Sequence, residues 1–515
     1  MQTTTSDMKR QLPKNSIFQA VAFSTRVVVG VWLVPYLITH LGTAAYGLLP
    51  IAALMTQYAS LISGSIATAV NRYLSIALQQ GDRDGANRVY STAFYSFLVI
   101  GAVQVPLFGA AIHFADHLVM VPDGLMYDAQ VLLGCSAAAF LLNLVSSIYA
   151  APAYAFNRLD VSRSLDIVRV VFRLVGIITL FVLLGPSLRM VGYVDLATAV
   201  ICLIGQVASA RSIAPYLKIR PGYFDLSKVG QVTGLGGWLL VNQLGSLLFL
   251  QMDVWICNRF IGPEAAGQFA ALLLWPSLLR QGGSTIATVV APMIMIYFAR
   301  GELNQLVRVS TASVRILSLV LSVAISTMCV FSAPVLRVWL GESFVPFSPL
   351  MVLLLGHLAI NVGITPLFNV QVAIDRVRLP ALVTLAGGVI NIALAIVLVR
   401  QANWGIYGVA AAGAIVLTAK NAIFTPLYAS YTLKLPWHTF ITPYLSALFC
   451  SGVVAAVGLV ILRVSPDSLI AVGSGMTLTL ALGAAAAWFL LPGCDRSQLR
   501  AMIQSRGRKQ PGTAA

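Results

Sequence analysis

Long apolar stretches separated by short polar segments recur along the whole chain. About 20 apolar residues are needed for an α-helix to cross the hydrocarbon core of a bilayer. The pattern predicts fourteen such helices, over residues 16–40, 45–69, 89–113, 129–153, 165–186, 190–210, 232–259, 265–297, 310–333, 347–371, 379–399, 404–428, 441–462 and 468–491. We therefore expect an all-α, polytopic membrane protein whose loops are too short to form folded domains.

The amino-acid composition supports this class. Of the 515 residues, 58% are hydrophobic and only 10% are charged, and the mean hydropathy is +0.86. Soluble domains carry about 25% charged residues, so the composition excludes an ordinary cytosolic enzyme, a disordered protein and a fibrous repeat. The six cysteines are widely separated and predict neither a disulfide framework nor a metal site.

The positive charges are distributed unequally between alternate loops. The N-terminus, the even-numbered loops and the C-terminal tail contain 25 Lys and Arg residues, whereas the odd-numbered loops contain 5. Because cytoplasmic loops hold the excess of Lys and Arg, both termini are predicted to be cytoplasmic. The net charge of +16 then reflects topology and attraction to anionic membrane lipids, and it does not indicate a nucleic-acid partner.

The longest internal connection divides the predicted helices into six before it and eight after it. The predicted organisation is a cytoplasmic segment (1–14), an N-terminal bundle of helices 1–6 (15–210), a cytoplasmic connector (211–231), a C-terminal bundle of helices 7–12 (232–428), a further helix pair (429–492) and a basic cytoplasmic tail (493–515). We expect the two bundles to be pseudo-symmetric and to surround a central cavity, as in transporters built from repeats.

A short repeated motif supports a duplication. The segment Leu41-Gly42-Thr43-Ala44-Ala45-Tyr46-Gly47 follows the first predicted helix, and Ile261-Gly262-Pro263-Glu264-Ala265-Ala266-Gly267 follows the seventh. Two glycines and one alanine match at an offset of 220 residues. Each segment leads into another long apolar stretch.

Five charged residues fall inside the predicted spans: Arg26, Asp195, Asp253, Arg280 and Lys420. Each costs about 2.5–3.5 kcal/mol at the centre of a membrane helix unless it is paired, reaches the interface or faces water. We predict that the three basic residues line a cationic, substrate-binding cavity. Asp195, near the end of its predicted span, is expected to reach the interface.

Other polar residues are predicted to contribute to the same cavity. Arg72 ends the second predicted helix, either as a substrate-binding residue or as an interfacial anchor. Asp253 is predicted to couple transport to a proton or cation, or else to pair with an arginine. Asn242, His357 and Asn361 lie on polar helix faces that either line the cavity or join helices by hydrogen bonds.

The sequence contains no motif for a nucleotide or a catalytic metal. It has no G-x-x-x-x-G-K-[ST], H-E-x-x-H, G-x-S-x-G or C-x-x-C segment. We therefore predict no catalytic residue, no metal, no cofactor and no enzymatic activity.

Two segments resemble those of polysaccharide and O-antigen flippases. Leu41-Gly42 through Tyr46-Gly47 and the helix end Asn71-Arg72-Tyr73 resemble their N-terminus, and Gln251-Met252-Asp253 through Gly262 and Gly267 resemble the start of their second half. These Wzx-type proteins belong to the multidrug/oligosaccharidyl-lipid/polysaccharide exporter superfamily. The resemblance implies two bundles, alternating access and an undecaprenyl-pyrophosphate-linked oligosaccharide as cargo.

The predicted function is therefore translocation of a lipid-linked oligosaccharide across a bacterial inner membrane for exopolysaccharide, O-antigen or capsule synthesis. A polysaccharide polymerase and chain-length machinery are expected as partners. Two alternatives remain open at this point. One is a cation-coupled multidrug exporter of the same superfamily, and the other is a membrane-embedded polymerase or ligase acting on the same glycolipids.

Overall fold

The computed structural model describes residues 5–225, 237–464, 469–493 and 495–496. Across these ranges the chain is helical and contains no β-strand. Residues 1–4 of the predicted N-terminal segment, residues 226–231 of the predicted connector, and Cys494 and residues 497–515 of the predicted tail lie outside the described residues.

The chain divides into two compact units, of which unit 1 comprises Met1–Ala271 and Val399–Gln401. Its helices are α1 (Thr5–Leu41), α2 (Thr43–Tyr46), α3 (Leu48–Gln79), α4 (Arg83–His113), α5 (Ala115–Leu118), α6 (Met126–Ala155), α7 (Leu159–Leu184), α8 (Leu188–Ile213), α9 (Gly237–Leu250), α10 (Met252–Phe260) and α11 (Pro263–Leu272), with a 3₁₀ turn at Pro221–Tyr223.

Unit 2 comprises Leu272–Leu398 and Ala402–Ala515. Its helices are α12 (Leu274–Ala299), α13 (Leu303–Val330), α14 (Ser332–Leu340), α15 (Ser348–Gly356), α16 (Leu358–Gly363), α17 (Pro366–Ala373), α18 (Arg378–Arg400), α19 (Gly405–Thr418), α20 (Thr425–Thr432), α21 (Thr442–Val464) and α22 (Leu469–Leu490). A 3₁₀ segment (Glu342–Phe347) precedes α15, and a π-helical segment (Ala419–Phe424) joins α19 to α20.

The helices confirm a polytopic membrane protein. Among the described residues, 12 helical segments are long and apolar enough to cross a bilayer, and the bent pair α9–α10 makes 13. Helix α3 begins at Leu48 and contains most of the predicted span 45–69. The continuous helix predicted over 232–259 is instead bent by 41° at its break, at Gln251.

Each unit has its own apolar core. In unit 1, Leu74, Phe97 and Ile148 are almost fully buried where α3, α4 and α6 pack together. In unit 2, Leu367 and Phe440 are fully buried in a cluster formed by α12, α13, α17 and neighbouring elements. Many other apolar side chains are exposed on the helix surfaces. Such a surface is expected where lipid, and not water, surrounds the helices.

The beginning of the connector is attached to the first turns of α4. The Asn87 Oδ1 atom accepts a hydrogen bond from the Lys218 N–H at 2.8 Å, and the Ser91 hydroxyl donates to the Lys218 carbonyl at 3.1 Å. The Asp225 N–H donates to the Thr92 hydroxyl at 3.1 Å. The backbone of a polar loop is thus satisfied by buried side chains of a helix.

The two matching glycine motifs take similar conformations and lie against one another inside unit 1. Gly42 and Gly262 have positive φ angles of 84° and 144°, and each precedes a new helix. A Cβ atom on Gly47 would lie 2.7 Å from the Gly267 nitrogen, and one on Gly267 would overlap the Thr43 carbonyl oxygen. The matched residues therefore form a backbone-to-backbone contact that only glycine permits.

Candidate functional site

Small residues bring the helices of unit 2 close together around one polar region. A Cβ atom on Gly283 of α12 would overlap the Val362 side chain, and one on Gly363 of α16 would overlap Ser318 of α13. Helix α16 is therefore held directly against both neighbours, as is common where small residues line membrane-helix contacts. Arg280 lies one helical turn before Gly283, so its Cα atom is beside this closely packed region.

The predicted tenth helix is broken where its polar residues occur. Helix α15 ends at Gly356, α16 runs from Leu358 to Gly363, and α17 begins at Pro366. His357 occupies the first break. The Asn361 Nδ2 atom donates to the His357 Nδ1 atom at 2.7 Å and to the Thr418 hydroxyl at 3.1 Å. Discontinuous helices are a recurrent feature of binding sites in membrane transporters.

The predicted twelfth helix contains a π-helical segment at the neighbouring position. Lys420 and Asn421 lie in this segment, and the Lys420 Nζ atom lies 5.0 Å from the centroid of the Phe368 ring. The Asn421 Nδ2 atom lies 3.4 Å from the Asn361 carbonyl oxygen, which it approaches as a donor. Short π segments within α-helices are rare and often mark functional sites.

Four of the predicted site residues are thereby brought into one region of unit 2. Arg280 lies one turn from the contact between α12 and α16, and Asn361 of α16 bonds both His357 and Thr418, which lies two residues before Lys420. The Oδ1 atoms of Asn361 and Asn421 are buried and accept no hydrogen bond from the described residues. Two cationic groups and two acceptor oxygens can together bind an anionic group that carries hydroxyls.

The other predicted site residues lie in unit 1. Arg26 of α1 is exposed, and the Arg72 guanidinium lies 5.8 Å from the ring centroid of the adjacent Tyr73. Asp253 is buried at the start of α10. Asn242 is half-buried in α9, and the bend between α9 and α10 separates it from the helix that carries Asp253.

A second group of hydrogen bonds joins α10 to the segment after α5. The Met120 N–H donates to the Asn258 Oδ1 atom at 2.7 Å, and Asn258 Nδ2 donates back to the Met120 carbonyl at 3.0 Å. Trp255 Nε1 donates to the Leu118 carbonyl at 3.0 Å. Nearby, the hydrogen bond from His117 lowers the pKa of Asp116. Within the described residues there is no group of three or more potential metal ligands.

Comparison with known proteins identifies the family. No protein-family profile matches the chain. The chain is 32% identical over 497 residues to the uncharacterized membrane protein EpsK of Bacillus subtilis (strain 168), which covers 95% of this chain and 97% of that protein. It is 23% identical over 407 residues to a putative O-antigen transporter of Shigella flexneri, and the match covers 77% of this chain and 93% of that protein. The chain belongs to the polysaccharide flippase family.

Solved structures agree with this family's fold. The inward closed lipid II flippase MurJ superposes with a TM-score of 0.66 over 95% of this chain and 99% of that chain, at 14% identity. An inward-facing multidrug resistance MATE transporter of the MOP superfamily superposes with a TM-score of 0.62 over 82% of this chain and 98% of that chain, also at 14% identity. At this identity the similarity concerns the fold, which the flippase family shares with drug exporters.

One ion pair of this flippase-family chain joins two neighbouring helices of unit 1. The sequence predicts a helix beginning at residue 165, and Asp195 is expected to reach the interface. Helix α7 begins six residues earlier, at Leu159, so Arg173 lies in mid-helix and forms an ion pair with Asp195. The opposite charges of Arg173 on α7 and Asp195 on α8 were the signal in the sequence from which this ion pair could have been predicted.

Proposed function

We propose that this protein moves an undecaprenyl-pyrophosphate-linked oligosaccharide from the cytoplasmic to the outer leaflet of a bacterial inner membrane by alternating access. Its termini are proposed to be cytoplasmic, consistent with the Lys and Arg distribution. The product would then be used by a polysaccharide polymerase with its chain-length machinery. The full-length similarity to EpsK and to a putative O-antigen transporter supports this assignment.

The observation that carries the proposal is the polar region of unit 2. Arg280 and Lys420 are positioned beside a broken helix and a π-helical segment, and His357 and Asn361 connect the two elements. We propose that the two cationic side chains bind the pyrophosphate, since a guanidinium matches phosphate oxygens in charge and geometry. The Asn361 and Asn421 oxygens would accept hydroxyl groups of the adjoining sugar.

The residues of unit 1 have secondary roles in this proposal. Arg26 and Arg72 would attract the anionic cargo, and Asn242 would line its route. Asp253 would take up the proton or cation that drives the cycle. Burial disfavours the charged form of a carboxyl group, and a bound proton or cation offsets that cost. The excess of basic over acidic residues inside the predicted spans favours an anionic cargo over the cationic drugs of a multidrug exporter.

The test is the sidedness of the glycolipid in cells, measured with a membrane-impermeant sugar label. Cells lacking the protein should retain the glycolipid on the cytoplasmic face, and the wild-type gene should restore labelling. We expect Arg280→Ala to reduce the rate of labelling about 10- to 100-fold at normal abundance, since a lost charge-assisted hydrogen bond is worth about 1.5–3 kcal/mol.

Arg337→Ala is the matched control. Arg337 also lies in unit 2, but its Nε atom bonds Glu342 at 2.8 Å and it is half-exposed. It should support labelling at the wild-type rate. Labelling that proceeds without the protein would refute the flippase assignment. If cells lacking the protein showed a wild-type amount of outer-leaflet glycolipid but an altered glycan chain length, the protein would instead be a polymerase.

A further inference from the structure

Unit 1 contains a polar cavity of about 300 Å³ between α3, α6, α7 and α8. Its polar lining residues are Thr56, Ser136, Asn143, Arg169, Arg173, Asp195 and Thr198. None of them belongs to the site described in unit 2. At a rise of 1.5 Å per residue, Arg169 lies about 15 Å and Arg173 about 21 Å from the beginning of α7. Both guanidinium groups therefore start from the middle part of a membrane-spanning helix.

Two of the charges in this cavity neutralise each other. Arg173 makes a bidentate contact with Asp195, with Nε 2.6 Å from Oδ1 and Nη2 3.3 Å from Oδ2. The two helices approach closely beside this pair, because a Cβ atom on Gly176 would lie 2.9 Å from the Val194 side chain. The pair is thus held in a fixed geometry and contributes no net charge.

Arg169 supplies a positive charge that no carboxylate in the described part of the chain balances. Its Nη2 atom donates to the Asn143 Oδ1 atom at 3.1 Å, and this acceptor is neutral. Arg169 forms no ion pair with any described residue and is exposed. The cavity therefore carries one net positive charge, located on a guanidinium whose remaining N–H groups can bind a ligand.

From this charge and size, we infer that the cavity binds a single carboxylate-bearing sugar unit of the cargo. One net positive charge is balanced by one carboxylate, which pairs with a guanidinium in a fork geometry. A phosphate monoester carries about −1.5 to −2, which exceeds the single net positive charge of the cavity. A volume of about 300 Å³ is at the lower limit of ligand pockets, so it accommodates one sugar ring at a time.

The remaining lining groups suit the hydroxyls of such a sugar. The Asp195 oxygens can accept hydrogen bonds from ligand hydroxyls, and Ser136 can donate or accept. This assignment rests on the proposed function, because it describes the sugar as part of the transported glycolipid. Binding of the free sugar can nevertheless be measured without any transport.

The experiment uses the full-length protein in nanodiscs of phosphatidylcholine, which supply no anionic lipid. Saturation-transfer NMR would be recorded with glucuronate, with its neutral analogue glucuronamide and with glucose 6-phosphate. We expect saturable transfer to glucuronate and at least tenfold weaker binding of the two others. Arg169→Gln should weaken glucuronate binding at least tenfold, whereas Arg169→Lys should retain part of it.

Arg163→Gln is the matched control, because Arg163 lies on the same helix but pairs with Asp166 outside the cavity lining. It should bind glucuronate as the wild type does. Equal binding of glucuronamide or glucose 6-phosphate, or wild-type binding by Arg169→Gln, would overturn the inference. The ligand comparison on the wild-type protein keeps the test valid even if a variant fails to fold.

The outcome is separable from that of the proposed function. Loss of flipping without the protein, combined with no glucuronate binding, would leave the flippase proposal intact and refute this site. Selective glucuronate binding in a protein that cells do not need for glycolipid sidedness would support the site and refute its role in cargo transport.

Discussion

Replacing Gly267 by alanine tests the contact between the two matched glycine motifs. A methyl group at this position would overlap the Thr43 carbonyl oxygen and lie 2.6 Å from the Thr43 carbonyl carbon. Both obstacles are backbone atoms, so relief requires whole helices to shift. Overpacking of this kind costs about 1–3 kcal/mol, partly offset by the roughly 1 kcal/mol that alanine gains over glycine within a helix.

The measurement is the apparent midpoint of thermal unfolding, followed by intrinsic fluorescence of the purified protein in nanodiscs. Gly109→Ala is the matched control, because Gly109 lies in helix α4 and a Cβ atom there would meet nothing within 4 Å. We expect Gly267→Ala to lower the midpoint and Gly109→Ala to leave it unchanged or raise it. A Gly267→Ala midpoint at or above that of Gly109→Ala would refute the close backbone approach.

Two further predictions concern polar contacts in unit 1. Asn258→Ala would remove both hydrogen bonds that the fully buried Asn258 side chain makes to the Met120 backbone, at about 0.5–1.5 kcal/mol each. It should lower the unfolding midpoint and speed proteolysis near residue 120, and Asn258→Asp should also lower the midpoint because its carboxylate would face the Met120 carbonyl. Asp160→Asn should also lower the midpoint, since a buried carboxylate would lose the charge that Lys14 contacts at 2.8 Å. Asp166→Asn, which alters a more exposed pair, should change the free energy of unfolding by no more than about 0.5 kcal/mol and the midpoint correspondingly little. An equal effect of both substitutions would contradict the argument.

The membrane class and most helix positions could be predicted from the sequence, because a span of fixed length leaves a continuous apolar pattern. The four-residue spacing of His357 and Asn361 predicts that the two side chains share a helix face, and in the structure they contact each other. Their hydrogen bond at 2.7 Å is consistent with the predicted four-residue spacing.

The errors have identifiable physical causes. The polar residues between Arg158 and Ser164 resemble a loop, but Asp160 is buried and the Asn15 side chain accepts its N–H, so the helix begins before them. The earlier start moves Arg173 into mid-helix. The sequence did not predict the breaks around His357 or the π segment at Lys420. Hydropathy does not distinguish a backbone N–H that bonds the carbonyl four residues earlier from one that bonds the carbonyl five residues earlier.

The π segment at Ala419–Phe424 has a consequence for tracing the ancestry of these proteins. A π turn accommodates one residue more than an α turn, and each residue of an α-helix corresponds to a rotation of about 100°. Deleting one residue within the segment would convert it to regular α-helix and leave Thr425–Thr432 with the same buried and exposed faces, whereas a deletion in an ordinary α-helix would rotate all later residues by about 100°. Relatives that lack the segment should therefore align only with a one-residue gap at this position, and the presence or absence of that gap would divide the lineage into two groups.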